Sequence, residues 1–129
     1  MSKKSIIPAF DSYVCAGDTV QWSADGFDIT ARVEYDEDTK PTDFDCYSAR
    51  QIEAWRNDKW FFCGIVLSVS RNGVELSDHA ASLWGIDCNF PSRRKNPNAY
   101  LSDVCAELQE EALETAKLES VRILAALEN

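Results

Sequence analysis

Alternating apolar and polar residues predict a β-hairpin in the first third of the chain. The alternation runs over residues 20–35 and is interrupted by Asp25-Gly26. Asp-Gly is typical of a type I′ turn, because glycine accepts a positive φ at little cost. Folding about this turn places Trp22 opposite Ile29, so the apolar faces of the two strands coincide.

A second hairpin is predicted further along the chain. Residues 60–70 are apolar on both faces, which is typical of a strand inside a sheet with a cover on each side. Asn72-Gly73 is a second type I′ signal and places Val69 opposite Leu76. The apolar run 80–86 either continues the sheet or bends at Gly85.

Two helices are predicted. Ser48 with Gln51 forms a capping box, which indicates a helix of about ten residues with Trp55 as its anchor. Residues 99–127 have a helical period, and Asn98 is placed to cap them. The predicted core stripe is Leu101, Val104, Cys105, Leu108, Ala112, Ala116, Ile123 and Leu127.

The long helix also has apolar residues away from that stripe. Leu118 and Val121 lie on its opposite side, where they mark a bend, a second contact or a self-association surface. Together the elements predict a single α+β domain over residues 1–129. Its antiparallel sheet has four or five strands from the two hairpins, packed by the short helix and the long C-terminal helix.

Acidic residues outnumber basic ones by 22 to 13, giving a net charge of -9. This charge disfavours direct binding of nucleic acid and of anionic membranes. The acids concentrate in residues 25–45 and in the C-terminal helix. The predicted partner-binding residues are Asp36, Glu37, Asp38, Asp43, Asp45, Glu107, Glu110, Glu111 and Glu114.

These carboxylates have two interpretations. One is ordinary solvation of a soluble domain. The other is replacement of phosphates against arginine and lysine, which predicts a host protein or nucleoprotein complex with a basic surface as the partner. The second interpretation requires both acidic blocks to form one continuous face. A homodimer is the further partner that we consider.

No motif for catalysis, a cofactor or a metal accompanies the acids, so we expect a protein that is not an enzyme. The acidic loop, residues 36–45, does not fit a calcium loop, since Lys40 and Pro41 occupy its fifth and sixth positions. His79 follows Asp78, but neighbours on a strand point to opposite faces. The basic cluster Arg93-Arg94-Lys95 is interpreted as a solvated loop, a phosphate contact or a partner of the acidic helix.

The chain also contains five widely spaced cysteines and four tryptophans. The odd count predicts free thiols, with Cys63 in a strand core and Cys105 on the helix stripe. An exposed tryptophan would mark a partner surface. No apolar run is long enough to span a membrane, and the N-terminus is too interrupted for a signal peptide, so a cytoplasmic location is expected.

The second half of the chain carries a resemblance. Its segments are Ala54-Trp55 through Trp60 to Gly64, then Ala81 to Ile86, then Ala99-Tyr100-Leu101 ahead of an Ala/Glu/Leu helix. This pattern resembles small uncharacterised accessory proteins of bacteriophages and bacterial mobile elements. The resemblance implies a bacterial cytoplasmic context and carries no chemistry to named positions.

The expected function is a non-enzymatic acidic interaction protein of a mobile element. Its sharpest form is an inhibitor that occupies the cationic nucleic-acid channel of a host defence complex. Two alternatives stay open: an enzyme or small-ligand binder with an unrecognised site, and a structural subunit that self-associates.

Overall fold

Two hairpins form one antiparallel sheet in the computed structural model, which describes residues 6–91 and 95–128. The elements are β1 (Thr19–Ala24), β2 (Phe27–Tyr35), α1 (Ala49–Arg56), β3 (Phe61–Arg71), β4 (Val74–Cys88) and α2 (Leu101–Leu127). A 3₁₀ turn spans Pro41–Asp43. The strand order is β1-β2-β3-β4, so the predicted α+β fold is confirmed with four strands.

The first hairpin has the predicted register. Trp22 pairs with Ile29, and the turn residues Asp25 and Gly26 have φ values of 52° and 82°. Asn72-Gly73 likewise forms the second turn, with φ values of 51° and 79°.

The predicted register of the second hairpin is wrong beyond its turn. Val69 pairs with Ser77 instead of Leu76, because β4 has 15 residues against 11 in β3. Three shifts along the β3–β4 ladder absorb the extra residues. One of these shifts lies at Gly85, and the sheet nevertheless continues beyond it to Cys88.

Helix α2 covers one face of the sheet, here called the inner face. Its buried residues are Leu101, Val104, Cys105, Leu108, Ala112, Leu113 and Ala116, and they pack with inward residues of all four strands. The predicted stripe is therefore confirmed as far as Ala116. It is wrong beyond that residue, since Ile123 is only half-buried and Leu127 is exposed.

The opposite, outer face carries an aromatic cluster formed by Phe44, Tyr47, Trp60, Phe62 and Phe90. Ser48 caps α1 as predicted, but α1 buries none of its residues, and Trp55 is only half-buried. The predicted anchor is therefore wrong. Trp60 is fully buried, and its indole Nε1 donates to the Gln51 carbonyl at 2.8 Å.

Asn98 does not cap α2 with its side chain. It is fully buried; its Oδ1 accepts the Asn89 backbone N–H at 2.7 Å, and its Nδ2 donates to the Asp11 carbonyl at 3.1 Å. Asn89 in turn exchanges two hydrogen bonds with the backbone of Val14. The asparagines thus tie the N-terminal segment to the end of β4.

Cys63 and Cys88 form a disulfide between β3 and β4, with their Cα atoms 6.4 Å apart. The prediction of free thiols is wrong for this pair and correct for Cys15, Cys46 and Cys105. The register explains the bond: Cys63 pairs with Ile86, which leaves Cys88 as its diagonal neighbour on the same face.

Candidate partner-binding surfaces

Asp36 holds the acidic loop together. One carboxylate oxygen accepts the Asp38 backbone N–H at 3.0 Å. The other accepts the Thr39 hydroxyl at 2.7 Å and the Gly85 backbone N–H at 2.9 Å. Burial opposes ionisation, but these hydrogen bonds prevail and hold the pKa of Asp36 below its usual value. Because its side chain is buried and satisfied, Asp36 does not belong to the accessible acidic surface that the sequence predicts.

The irregularity at Gly85 makes this attachment possible. Between the pairs Cys63–Ile86 and Ile65–Leu83, β4 has one residue more than β3. Gly85 adopts a φ of 74°, which favours glycine. Its N–H is thereby free to bind Asp36 instead of the neighbouring strand.

The same irregularity places Trp84 on the outer face. Its indole lies over Gly64, so closely that a Cβ at this position would overlap the ring. The side chain remains 43% exposed. Beside it lies an open hollow of about 550 Å³, lined by Trp84, Tyr35 and the loop residues 36–39. Trp84 is thus an exposed tryptophan, the feature expected to mark a partner surface.

The other predicted acids of the loop are accessible. Glu37, Asp38, Asp43 and Asp45 are exposed. Asp43 also accepts the Lys40 backbone N–H at 3.2 Å and so closes the 3₁₀ turn. Within residues 6–91 and 95–128, no salt bridge involves Glu37 or Asp38.

Helix α2 presents the second acidic surface, here called the acidic stripe: Glu107, Glu110, Glu111 and Glu114. All four are exposed. Their spacing of i, i+3, i+4 and i+7 places them within an arc of about 100°. The same ridge of the helix continues to Leu118 and Val121, both 67% exposed.

The cations of α2 are engaged elsewhere. Lys117 Nζ lies 3.5 Å from an Asp25 carboxylate oxygen, and Arg122 Nη2 lies 2.8 Å from Glu119. None of the salt bridges in the described part of the chain involves the acidic stripe. The stripe is therefore an un-neutralised row of carboxylates on a well-packed helix.

The sheet separates the two acidic surfaces. Phe44, in the acidic loop, contacts Phe62 on the outer face, with ring centroids 6.1 Å apart. The adjacent Cys63 packs on the inner face with α2. Since successive strand residues point to opposite faces, the loop and the acidic stripe lie on opposite sides of the molecule. Of the acids in residues 25–45, Asp25 alone forms a salt bridge with α2, through Lys117. The two blocks therefore do not form one continuous face.

His79 has a partner that the sequence does not reveal. The shifted register brings its Nε2 to 2.9 Å from the Ser82 hydroxyl, while Asp78 binds Arg32 instead. His79 is exposed on the strand surface, and neither residue of the pair lines the hollow beside Trp84. A Ser–His contact without an enclosed site or an orienting carboxylate does not make a catalytic centre.

The sequence also raised a basic cluster, a metal site and a membrane span. Arg93 and Arg94 lie outside the described residues. Among residues 6–91 and 95–128, no three or more His, Cys, Asp or Glu side chains are grouped so as to hold a metal ion. No helix in the same ranges has the length and apolar character needed to cross a membrane.

The fold and these surfaces define an α+β protein with two separate acidic faces. No protein-family model, curated protein or solved structure matches the chain.

Proposed function

We propose that this chain is a non-enzymatic interaction protein that binds a basic partner through the outward ridge of α2. The observation that supports the proposal is the acidic stripe, four exposed carboxylates that no described cation neutralises. A packed helix fixes these charges in space, so less conformational entropy is lost on binding than for charges in a mobile loop.

The ridge also suggests the form of the partner. Its carboxylates are followed by Leu118 and Val121, so a complementary surface has lysine or arginine at one end and an apolar patch at the other. We further propose that the protein is an accessory factor of a phage or mobile element. Occupation of a cationic nucleic-acid channel is not proposed, because it requires both acidic blocks on one face and they lie on opposite sides of the sheet. The proposed contact is confined to the ridge of α2.

Neutralising the stripe tests the proposal. The probe is a fluorescent helical peptide with lysines at i, i+3, i+4 and i+7, followed by leucines. We expect the fourfold Glu-to-Gln variant of the acidic stripe to bind it about tenfold more weakly, because each exposed charge contributes a few tenths of a kcal/mol or more. Fluorescence anisotropy at low and high salt measures both the affinity and its salt dependence.

The matched control removes four acids from the other side of the sheet, by amide substitutions at Glu37, Asp38, Asp43 and Asp45. It has the same net charge as the stripe variant and should retain most of the affinity. Equal weakening in both variants, or tight binding that is unchanged by salt, would contradict the proposal. Affinity capture from host lysate with both variants then identifies the natural partner.

A second candidate function is self-association through the end of α2. Leu118, Val121, Leu124 and Leu127 are all exposed there, although the helix is otherwise well packed. We expect Leu118→Glu with Val121→Glu to abolish any concentration-dependent rise in mass, measured by sedimentation equilibrium. Val74→Glu, at an exposed apolar site at the start of β4, is the control. A wild-type monomer at high concentration would eliminate this candidate.

A further inference from the structure

We propose that the hollow between Trp84 and the acidic loop, here called the indole cradle, receives an arginine side chain of a protein partner. It lies on the outer face, so it is independent of the acidic stripe on α2. Its floor is the half-exposed indole of Trp84, and its rim carries Glu37 and Asp38.

The indole is held in position from beneath. The ring rests on the β3 backbone at Gly64, where only the absence of a side chain leaves room for it. Its Nε1 lies 3.3 Å from the Ser82 hydroxyl, which restrains rotation of the ring. One aromatic face is thus used by the protein, and exposed ring surface remains for a ligand.

The rim, formed by Glu37 and Asp38, is also held in position. Asp36 binds the Asp38 and Gly85 backbones, so the loop that carries the two acids is fastened to the residue next to Trp84. Arg32, on β2, is engaged by Glu34 and Asp78. The charges of Glu37 and Asp38 are therefore not neutralised by Arg32.

These features select arginine among the possible occupants. A planar guanidinium stacks on an indole and donates paired hydrogen bonds to a carboxylate, whereas an ammonium group gives a single point charge. A nucleic-acid base also stacks on tryptophan, but its phosphates would meet Glu37 and Asp38. At an exposed site, stacking on the indole and hydrogen bonding to the carboxylates each contribute a modest free energy of binding. Together they give a contact that is specific for arginine.

Titration with short peptides tests the indole cradle. The Trp84 indole N–H resonance is assigned by Trp84→Phe, and ¹⁵N-labelled protein is then titrated with hexa-arginine, hexa-lysine, hexa-glutamate or a single-stranded oligonucleotide. We expect a saturable shift of this resonance with hexa-arginine, a weaker one with hexa-lysine and none with the two anions. The double variant Glu37→Gln, Asp38→Asn should bind hexa-arginine at this site about threefold more weakly, because it removes two exposed charges and leaves the indole in place.

The control is Glu110→Gln with Glu111→Gln, which removes the same charge from α2 and should leave the Trp84 shift unchanged. Shifts confined to α2 would support the proposed function and overturn the indole cradle. An unchanged affinity of the Glu37/Asp38 variant, or an equal response to hexa-lysine, would also overturn the choice of arginine. A Trp84 shift that survives loss of the acidic stripe supports the indole cradle even if α2 proves to bind nothing.

Discussion

Replacing Trp60 by alanine should lower the free energy of unfolding by about 4 kcal/mol. Trp60 is fully buried, and its ring lies 4.9 Å from Phe90 and 5.1 Å from Phe62 between centroids. Truncation leaves a cavity in the outer aromatic cluster. It also removes the hydrogen bond that holds α1 through the Gln51 carbonyl. Urea denaturation monitored by circular dichroism measures the loss.

Trp55→Ala is the matched control for this effect. Trp55 lies in α1 five residues earlier and is only half-buried, so its loss should cost about 1 kcal/mol. Losses of equal size in the two variants would contradict this prediction. They would show that Trp55 in α1 stabilises the fold as much as Trp60 in the outer aromatic cluster.

Removing the disulfide should lower the free energy of unfolding by about 3 kcal/mol. The bond closes a loop with a sequence separation of 25 residues, and that restriction of the unfolded chain accounts for the figure. The double variant Cys63→Ala, Cys88→Ala tests this by urea denaturation without reductant. Cys15→Ser is the control, because this thiol is exposed and unpaired and its loss should leave stability unchanged.

Thiol counting checks the same bond independently. Two cysteines, Cys15 and Cys46, should react in the native protein. Cys105 should react only on unfolding, because burial raises the pKa of its thiol to about 12 and shields it from reagents. Cys63 and Cys88 should react only after a reductant is added. Five reactive thiols in the unfolded, unreduced chain would refute the disulfide.

Local patterns predicted the fold well where the residues that decide the structure are close in sequence. Asp25-Gly26 fixed both the turn and the Trp22–Ile29 pairing, and Ser48 with Gln51 fixed the start of α1. The second hairpin was predicted less accurately, because a turn dictates register only next to itself. The extra residues of β4 depend on long-range packing, which alternation cannot show.

The candidate sites likewise divide into features set by local spacing and features set by long-range packing. Helical spacing alone placed the acidic stripe on one face of α2, and the structure exposes all four of its carboxylates. The inward attachment of Asp36 and the joining of Cys63 to Cys88 depend on the bulged register, so sequence spacing could not reveal them. Trp84 followed by glycine was the one local signal of the indole cradle, since a glycine within a strand often marks a bulge.

The irregular ladder of β4 has a consequence for solubility. Among the described residues no strand pairs with the outer edge of β4, which is last in the strand order. A long flat edge invites the pairing of strands from other molecules that leads to fibrils. The shifts of β4 divide the β3–β4 pairing so that regular runs extend over at most three residues. An incoming strand would lose register after each short run. The shift that places Trp84 over Gly64 therefore also makes the β4 edge a poor template for edge-to-edge pairing.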